Sequence, residues 1–294
     1  MKNGIKTMSI QDRMEKVTEF WKRYKRNKAG VFGLLIISLV FFLALAASVL
    51  TPYPPLKTLV GPVLQAPFRA EGHPLGTDNL GRDWFSMLIH STRAALVIGF
   101  AVSIFGSALG ILIGIPAGYY GGLVDDILMR ITETFLVIPR FALALVLVSL
   151  YGQRIEIIIV VLSLISWPQL ARMLRAETMS LKEREFVEAS KSIGESNASV
   201  MFRDILPNAT FVVVVNISIE VAAAILIETG LSYLGVGDPN FPTWGMMLKT
   251  AQDFLRTAWW LSVLPGVAVF LTVMGFNLVG DGLNDALNPK LKGR

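Results

Sequence analysis

Two histidines, His73 and His90, are the only imidazoles in this 294-residue chain, and it has no cysteine. Disulfides, thiolate metal sites and a cysteine nucleophile are therefore excluded, and redox compartment cannot be read. No Gly is followed by Lys, so a Walker A phosphate loop is impossible, and neither His-Glu-x-x-His nor Gly-x-Ser-x-Gly occurs. Gly76, Thr77, Asp78, Gly81 and Asp83 could supply oxygens to a hard cation, but two carboxylates among glycines more simply serve as turn and cap residues. What remains is a set of ionisable groups in apolar surroundings: Glu133, Arg140, Glu220 and Glu228. Charges in such places face protein or water and mark transport paths. Arg140, Glu220 and Glu228 are the translocation-path candidates, with Arg140 placed to meet an anionic group of a cargo. Glu133 reads as an inner-boundary residue, and Glu228 as an acid packed against a neighbouring helix.

The elements that must position these groups are membrane helices. The chain is 53% hydrophobic and 17% charged with a mean hydropathy of +0.57, too apolar for a soluble protein and too long for one or two spans. Six apolar runs predict an all-α polytopic fold: residues 29–50, 94–118, 131–151, 155–171, 209–234 and 257–280. The first is uncharged and long enough for a core of about 30 Å. Residues 1–28 carry nine Lys or Arg, with Val17, Phe20, Trp21 and Tyr24 at helical spacing, and predict an amphipathic helix on the inner surface. Residues 52–93 form an external loop rich in Pro and Gly. Gly106, Gly110, Gly114 and Gly118 fall every fourth place, leaving one face of the second span as bare backbone for close helix packing. Asp126 and Arg130 are spaced to pair in the turn that follows. Trp167-Pro168 reads as an interfacial anchor and break, Pro207 as the start of the fifth span, Trp244 and Met246-Met247 as interface residues, and Pro265-Gly266 as a kink. Residues 94–281 form a five-helix core that includes the segment 172–207, and residues 282–294 form a tail.

Between the fourth and fifth spans lies a charged island, residues 172–207. Its stretch Lys182 to Ser192 has strong helix formers and a small apolar surface from Phe186, Val187, Ala189 and Ile193, which predicts a short amphipathic helix that Gly194 lets the chain leave. Six spans put both termini on one side. Taking that side as cytoplasm, the inner segments hold nineteen of the 27 basic residues and the outer ones seven, so charge bias places the island inside.

Glu188-Ala189-Ser190, Gly194 and Leu206-Pro207 resemble the cytoplasmic EAA loop of ATP-binding-cassette importer permeases, Glu-Ala-Ala, three residues, Gly, nine residues, Ile-x-Leu-Pro. Ser190 stands where the family has its second Ala, and Asp204 where it has Ile, with Ile205 one place late. His-Pro-Leu-Gly-Thr-Asp from His73, Gly-Arg-Asp from Gly81, Gly121-Gly122-x-x-Asp125 and the ending Gly-Asp-Gly-Leu from Gly280 are similar to the dipeptide, oligopeptide and nickel branch. The resemblance implies a MetI-like permease fold of six transmembrane helices with cytoplasmic termini in the cell membrane. It implies no enzyme activity and no cofactor in this chain, ATP and Mg being held by two separate cytoplasmic ATPases. The other partners it implies are a second homologous permease, an external substrate-binding protein and membrane lipid, without nucleic acid. Glu185, Phe186, Val187, Glu188, Ala189, Ser190, Ser192, Ile193, Gly194, Leu206 and Pro207 would then couple to the ATPase. The cargo expected is a di- or oligopeptide, with oligosaccharide, glutathione-like peptide or nickel and other metal chelates as alternatives. A reading of another class, an ion-coupled secondary transporter or channel, would use Glu133, Arg140, Glu220 and Glu228 as a relay.

Overall fold

The computed structural model describes residues 10–69 and 71–287. Within them the only extended pairing is an isolated bridge between Thr77 and Asp83, and the rest is helix and loop. Basic residues 2, 6, 290, 292 and 294, and the end of the tail, lie outside the described residues.

Helix α1 (Ile10–Tyr24) reaches an elbow and α2 (Lys28–Leu50) follows, capped by Asn27, whose Oδ1 accepts the Gly30 N–H at 2.8 Å. The Tyr24 hydroxyl donates to the Gly30 carbonyl at 2.9 Å. One face of α2 uses Gly30 and Gly33 to approach the last helix, while Phe32, Leu35, Leu39, Phe42, Leu45 and Val49 stay exposed on the other. That stripe has the apolar composition of a lipid-facing surface.

The second span is longer than its hydropathy predicts. Helix α3 runs Trp84–Tyr120, so residues 84–93 are helix rather than loop. The reason is Asp83, whose carboxylate accepts the Ser86 N–H and hydroxyl at 2.7 and 2.6 Å and so caps the helix there. Arg93 consequently sits in α3, its Nε donating to the Ala44 carbonyl at 2.6 Å. The expected glycine face is used as read: Gly106, Gly110, Gly114 and Gly118 lie against Ser166, Leu170, Ala171 and Thr178 of α6 (Ile155–Leu181).

Between those two, the third span is not one helix. It is α4 (Gly122–Val137) and α5 (Arg140–Tyr151), bent 85° at Ile138-Pro139, because Pro139 supplies no N–H and disfavours helix in the residue before it. Helix α6 continues through Pro168 and ten residues past its apolar run; Trp167 is buried against Phe135 rather than anchored at an interface. After α7 (Glu185–Ser192) the chain re-enters through α8 (Asn197–Ser199), a π turn at Val200–Ile205 and α9 (Leu206–Tyr233), which form one helical run, Asn197–Tyr233. Pro207 therefore lies inside a helix instead of beginning one. The widened turn accommodates it: the Leu206 N–H bonds five residues back to Met201, and Asn208 Nδ2 donates to the Asp204 carbonyl at 2.7 Å.

The outer loop 235–256 contains a helix, α10 (Trp244–Ala251), whose Trp244 and Met247 are buried in the core with Trp84, Met87 and Leu261, not set at a lipid boundary. Helix α11 (Trp260–Leu287) continues through Pro265 and beyond the apolar run, packing on α2 and α9. Among the described residues, five helices are long and apolar enough to cross a membrane, and counting the bent pair as one span gives six.

Candidate functional site

The charged island becomes a platform rather than a loop. Because α6 and the α8–α9 run both project beyond the membrane-spanning part, only residues 182–196 connect them, and α7 is the helix in that connection. Its single buried side chain is Val187, fully enclosed with Tyr119, Leu174, Val200, Met201 and Ile205. Glu185, Phe186, Glu188, Ala189 and Ser192 are exposed, Ser190 is half-buried, and Ile193 is 79% exposed. The helix is thus held by one buried valine and leaves most of its surface open. Acidic residues fall in its first turn and Lys191 in its last, which suits the helix dipole.

Gly194 ends the helix with a φ of +83°. The Gly194 N–H bonds to the Lys191 carbonyl at 3.0 Å and the Glu195 N–H to the Ser190 carbonyl at 3.2 Å, the paired hydrogen bonds of a Schellman cap. Nothing lies within 4 Å of where a Cβ would stand, so within this chain conformation, not crowding, selects glycine.

Four contacts lock the platform to α3 and α4. Arg175 donates from Nε and Nη2 to both oxygens of Asp125 at 2.5 and 2.6 Å. Lys182 Nζ donates to the Gly118 carbonyl at 3.1 Å. The Tyr119 hydroxyl donates to Asn197 Oδ1 at 2.9 Å, while Lys191 Nζ lies 5.0 Å from the Tyr119 ring centre, close enough for a cation–π contact. Pairing of Asp126 with Arg130 is not observed; the acid that pairs is its neighbour Asp125, with Arg175 far along the chain. The one available signal was Asp125 as the acid of Gly121-Gly122-x-x-Asp125. Ile205, one place late in the resemblance, is the side chain that reaches the buried cluster, while Asp204 is half-buried. Leu206 packs against that cluster and Pro207 is exposed.

Of the path candidates, the fold brings together Arg140 and Glu220. Their carboxylate–guanidinium contact is bidentate, through Nη2 to Oε1 and through Nη1 to Oε2 at 3.4 Å. Glu228 is apart from them, buried and accepting the Ser232 hydroxyl at 2.5 Å, in keeping with an acid packed inside the fold. Glu133 is exposed beside the cleft formed by Asp125, Arg130, Arg172 and Arg175. A four-member relay is therefore not formed within this chain. The glycine-flanked carboxylates are framework: Asp78 accepts the Arg82 N–H and Nε at 2.8 and 2.5 Å, and Asp83 pairs with His73 Nδ1 at 2.8 Å while capping α3. Among the described residues no cluster of three metal-ligating side chains occurs.

Together these features define a multi-pass helical membrane protein that carries an exposed helix between its fourth and fifth spans. Comparison with known proteins agrees. Residues 110–293 match the family described as binding-protein-dependent transport system inner membrane component, and residues 17–67 match the N-terminal TM domain of oligopeptide transport permease C. The dipeptide transport system permease protein DppC of Escherichia coli K12 is 39% identical over 292 residues, covering 98% of this chain and 97% of that one. The di/tripeptide transport system permease protein DppC of Pseudomonas aeruginosa is 37% identical over 279 residues, covering 93% and 92%. The glutathione transport system permease protein GsiD of Pectobacterium atrosepticum is 38% identical over 280 residues, covering 93% and 91%. The chain belongs to the binding-protein-dependent inner-membrane permease family, with its MetI-like fold, and is a multi-pass inner-membrane protein of a transport system.

Proposed function

We propose that the chain is one permease subunit of an ATP-driven importer and passes di- or oligopeptides handed over by an external binding protein. A second, homologous permease would complete the pathway. Two cytoplasmic ATPases would hold the ATP and Mg, this chain binding neither. The names of the relatives, dipeptide, di/tripeptide and glutathione transport permeases, support a peptide cargo.

The observation that carries the reading is α7: one valine inward, an acidic and small-residue face outward, and a rigid tie to two helices that enter the membrane. An ATPase cleft closing on that face would displace α7, and α6 with the α8–α9 run would carry the displacement into the bilayer without intervening slack. Glu185 and Glu188 would contact the ATPase, Ala189 and Ser190 would allow close approach, and Phe186 and Ile193 would give it apolar area. Val187, Leu206 and Pro207 would hold the lever's base. Ser192, whose hydroxyl donates to the Glu188 carbonyl at 2.8 Å, and Gly194 would set its end.

The test is uptake by the assembled transporter with Glu188→Lys or Gly194→Asp. Both are expected to abolish uptake while the subunit still accumulates in the membrane; intact uptake in both removes the lever. Uptake that persists from this chain alone, with no ATPase and an ion gradient imposed, would favour the ion-coupled reading instead.

A further inference from the structure

The α4–α5 break is a surface that lipid cannot cover. At an 85° bend the helical ladder is interrupted, and the residues there are open, Val137 82% and Ile138 39% exposed. Non-helical backbone at membrane depth persists only against protein or water, since hydrocarbon offers no hydrogen bonds. The exposed stripe of α2 is the contrasting case, an unbroken helix with apolar side chains alone. The α2 stripe is thus suited to lipid and the break to water or protein.

Arg140 is the first residue after that break, and it reaches Glu220, near the middle of α9 and about 20 Å from either end of that helix at 1.5 Å per residue. The pair is lopsided: the Arg140 side chain is 34% exposed and that of Glu220 8%. The pair also leaves capacity unused. A guanidinium has five N–H donors; one on each Nη engages Glu220, the second on each Nη is left over, and Arg140 Nε is buried without a partner. A purely structural pin deep in a bundle would be enclosed and saturated; this one is neither.

We infer that the Arg140–Glu220 pair is a station on the translocation path for cargo with a free carboxylate and a free ammonium, a zwitterionic peptide that trades partners with the pair. The inference rests on the peptide-importer reading and names what selects the cargo inside the membrane. The physical logic is charge conservation. A zwitterion moving through a low-dielectric passage loses water from two opposite charges, which is strongly unfavourable unless each meets a counter-charge. A protein ion pair held half-open supplies both. The peptide carboxylate takes the free donors of Arg140, its ammonium takes Glu220, and no net charge is buried at any point. Arginine suits this role better than lysine because its planar fork can hold two carboxylates at once.

The test uses the whole transporter, this chain with its co-purifying subunits and binding protein, in proteoliposomes, with L-alanyl-L-alanine as probe. The double variant Arg140→Gln/Glu220→Gln keeps an amide–amide contact between α5 and α9 but removes both charges. Dialanine moved per ATP hydrolysed is expected to fall about tenfold, the scale of one lost charge-assisted hydrogen bond. Stimulation of ATP hydrolysis by the loaded binding protein is expected to stay within about twofold of wild type, and Arg140→Lys to fall between. An unchanged ratio, or uptake and stimulation falling together, makes the pair a pin and overturns the inference while leaving the importer intact. Absence of dialanine uptake by the wild-type transporter overturns the peptide reading and this inference with it. If the variants do not assemble, p-benzoylphenylalanine in place of Ile138 decides: capture of labelled dialanine during turnover is expected there and not at Leu45 on the α2 stripe, and no capture at position 138 overturns the station.

Discussion

Gly194 separates conformation from contact at the scale of one residue. Its φ of +83° is a region that L side chains enter at a cost of about 1–2 kcal/mol, with Asn the least penalised, while the space around its missing Cβ is empty. If conformation alone matters, Gly194→Asn is expected to retain uptake within about twofold and Gly194→Val to lose it, since β-branching at positive φ is the worst case. If an ATPase surface fills the empty space, both variants fail equally. Uptake and ATPase co-purification measured together on the two variants tell these apart. The glycine and the helix before it were legible in the sequence because both follow from local preference. The ties that hold the platform were not: Arg175 with Asp125, Lys182 with the Gly118 carbonyl and Lys191 over Tyr119 join residues 50 or more apart, which no local pattern encodes.

Helices show the same division between what a pattern specifies and what tertiary contacts add. The four-residue glycine period on α3 announced a tight seam, and α6 fills it: a Cβ on Gly114 would overlap the backbone of Ala171. Gly114→Leu is therefore expected to prise α3 from α6 and to lower the thermal stability of the detergent-solubilised subunit, or prevent its accumulation. Gly266→Ala, where no atom lies within 4 Å, is expected to leave stability within about 0.5 kcal/mol. Melting both in one detergent checks the seam; equal behaviour would mean that α3 and α6 part without cost. Helix ends were read less well. Hydropathy marks where lipid begins, not where hydrogen bonding stops, so the ten positions at each of the α3 start and the α6 end, where polar and charged residues interrupt the apolar run, fell outside the expected spans. The third span was expected as one run over 131–151; its 85° bend at Pro139 goes with contacts of α5 on α9 through Arg140 and Phe141, information held in another span. Trp244 and Met247 show the remaining limit: an apolar side chain facing lipid and one facing protein look identical in composition.

For the molecule as a whole the decisive quantity is orientation, since a lever is useful only on the side where ATP is. The bias of basic residues predicts that α7 and both termini lie in the cytoplasm and the loop before α3 outside. That loop is braced, with His73 stacked on Tyr53 at 5.0 Å and paired to Asp83, so its exposed residues form a defined outer surface. The absence of cysteine turns the chain into its own blank for a topology measurement. Leu59 is 81% exposed in the outer loop and Ile193 79% exposed at the end of α7, so Leu59→Cys and Ile193→Cys each place one reactive thiol at opposite ends of the bundle. A membrane-impermeant maleimide applied to intact spheroplasts is expected to label Leu59→Cys at once and Ile193→Cys only after the membrane is opened. Leu45→Cys, on the stripe assigned to lipid, is expected to react slowly in both, because a thiol in hydrocarbon does not ionise. In the assembled transporter, Ile193→Cys is further expected to lose reactivity in opened membranes when the ATPases are bound and to regain it when they are stripped. Labelling of Ile193→Cys from outside would invert the molecule, and indifference of that thiol to the ATPases would leave α7 without a motor to answer.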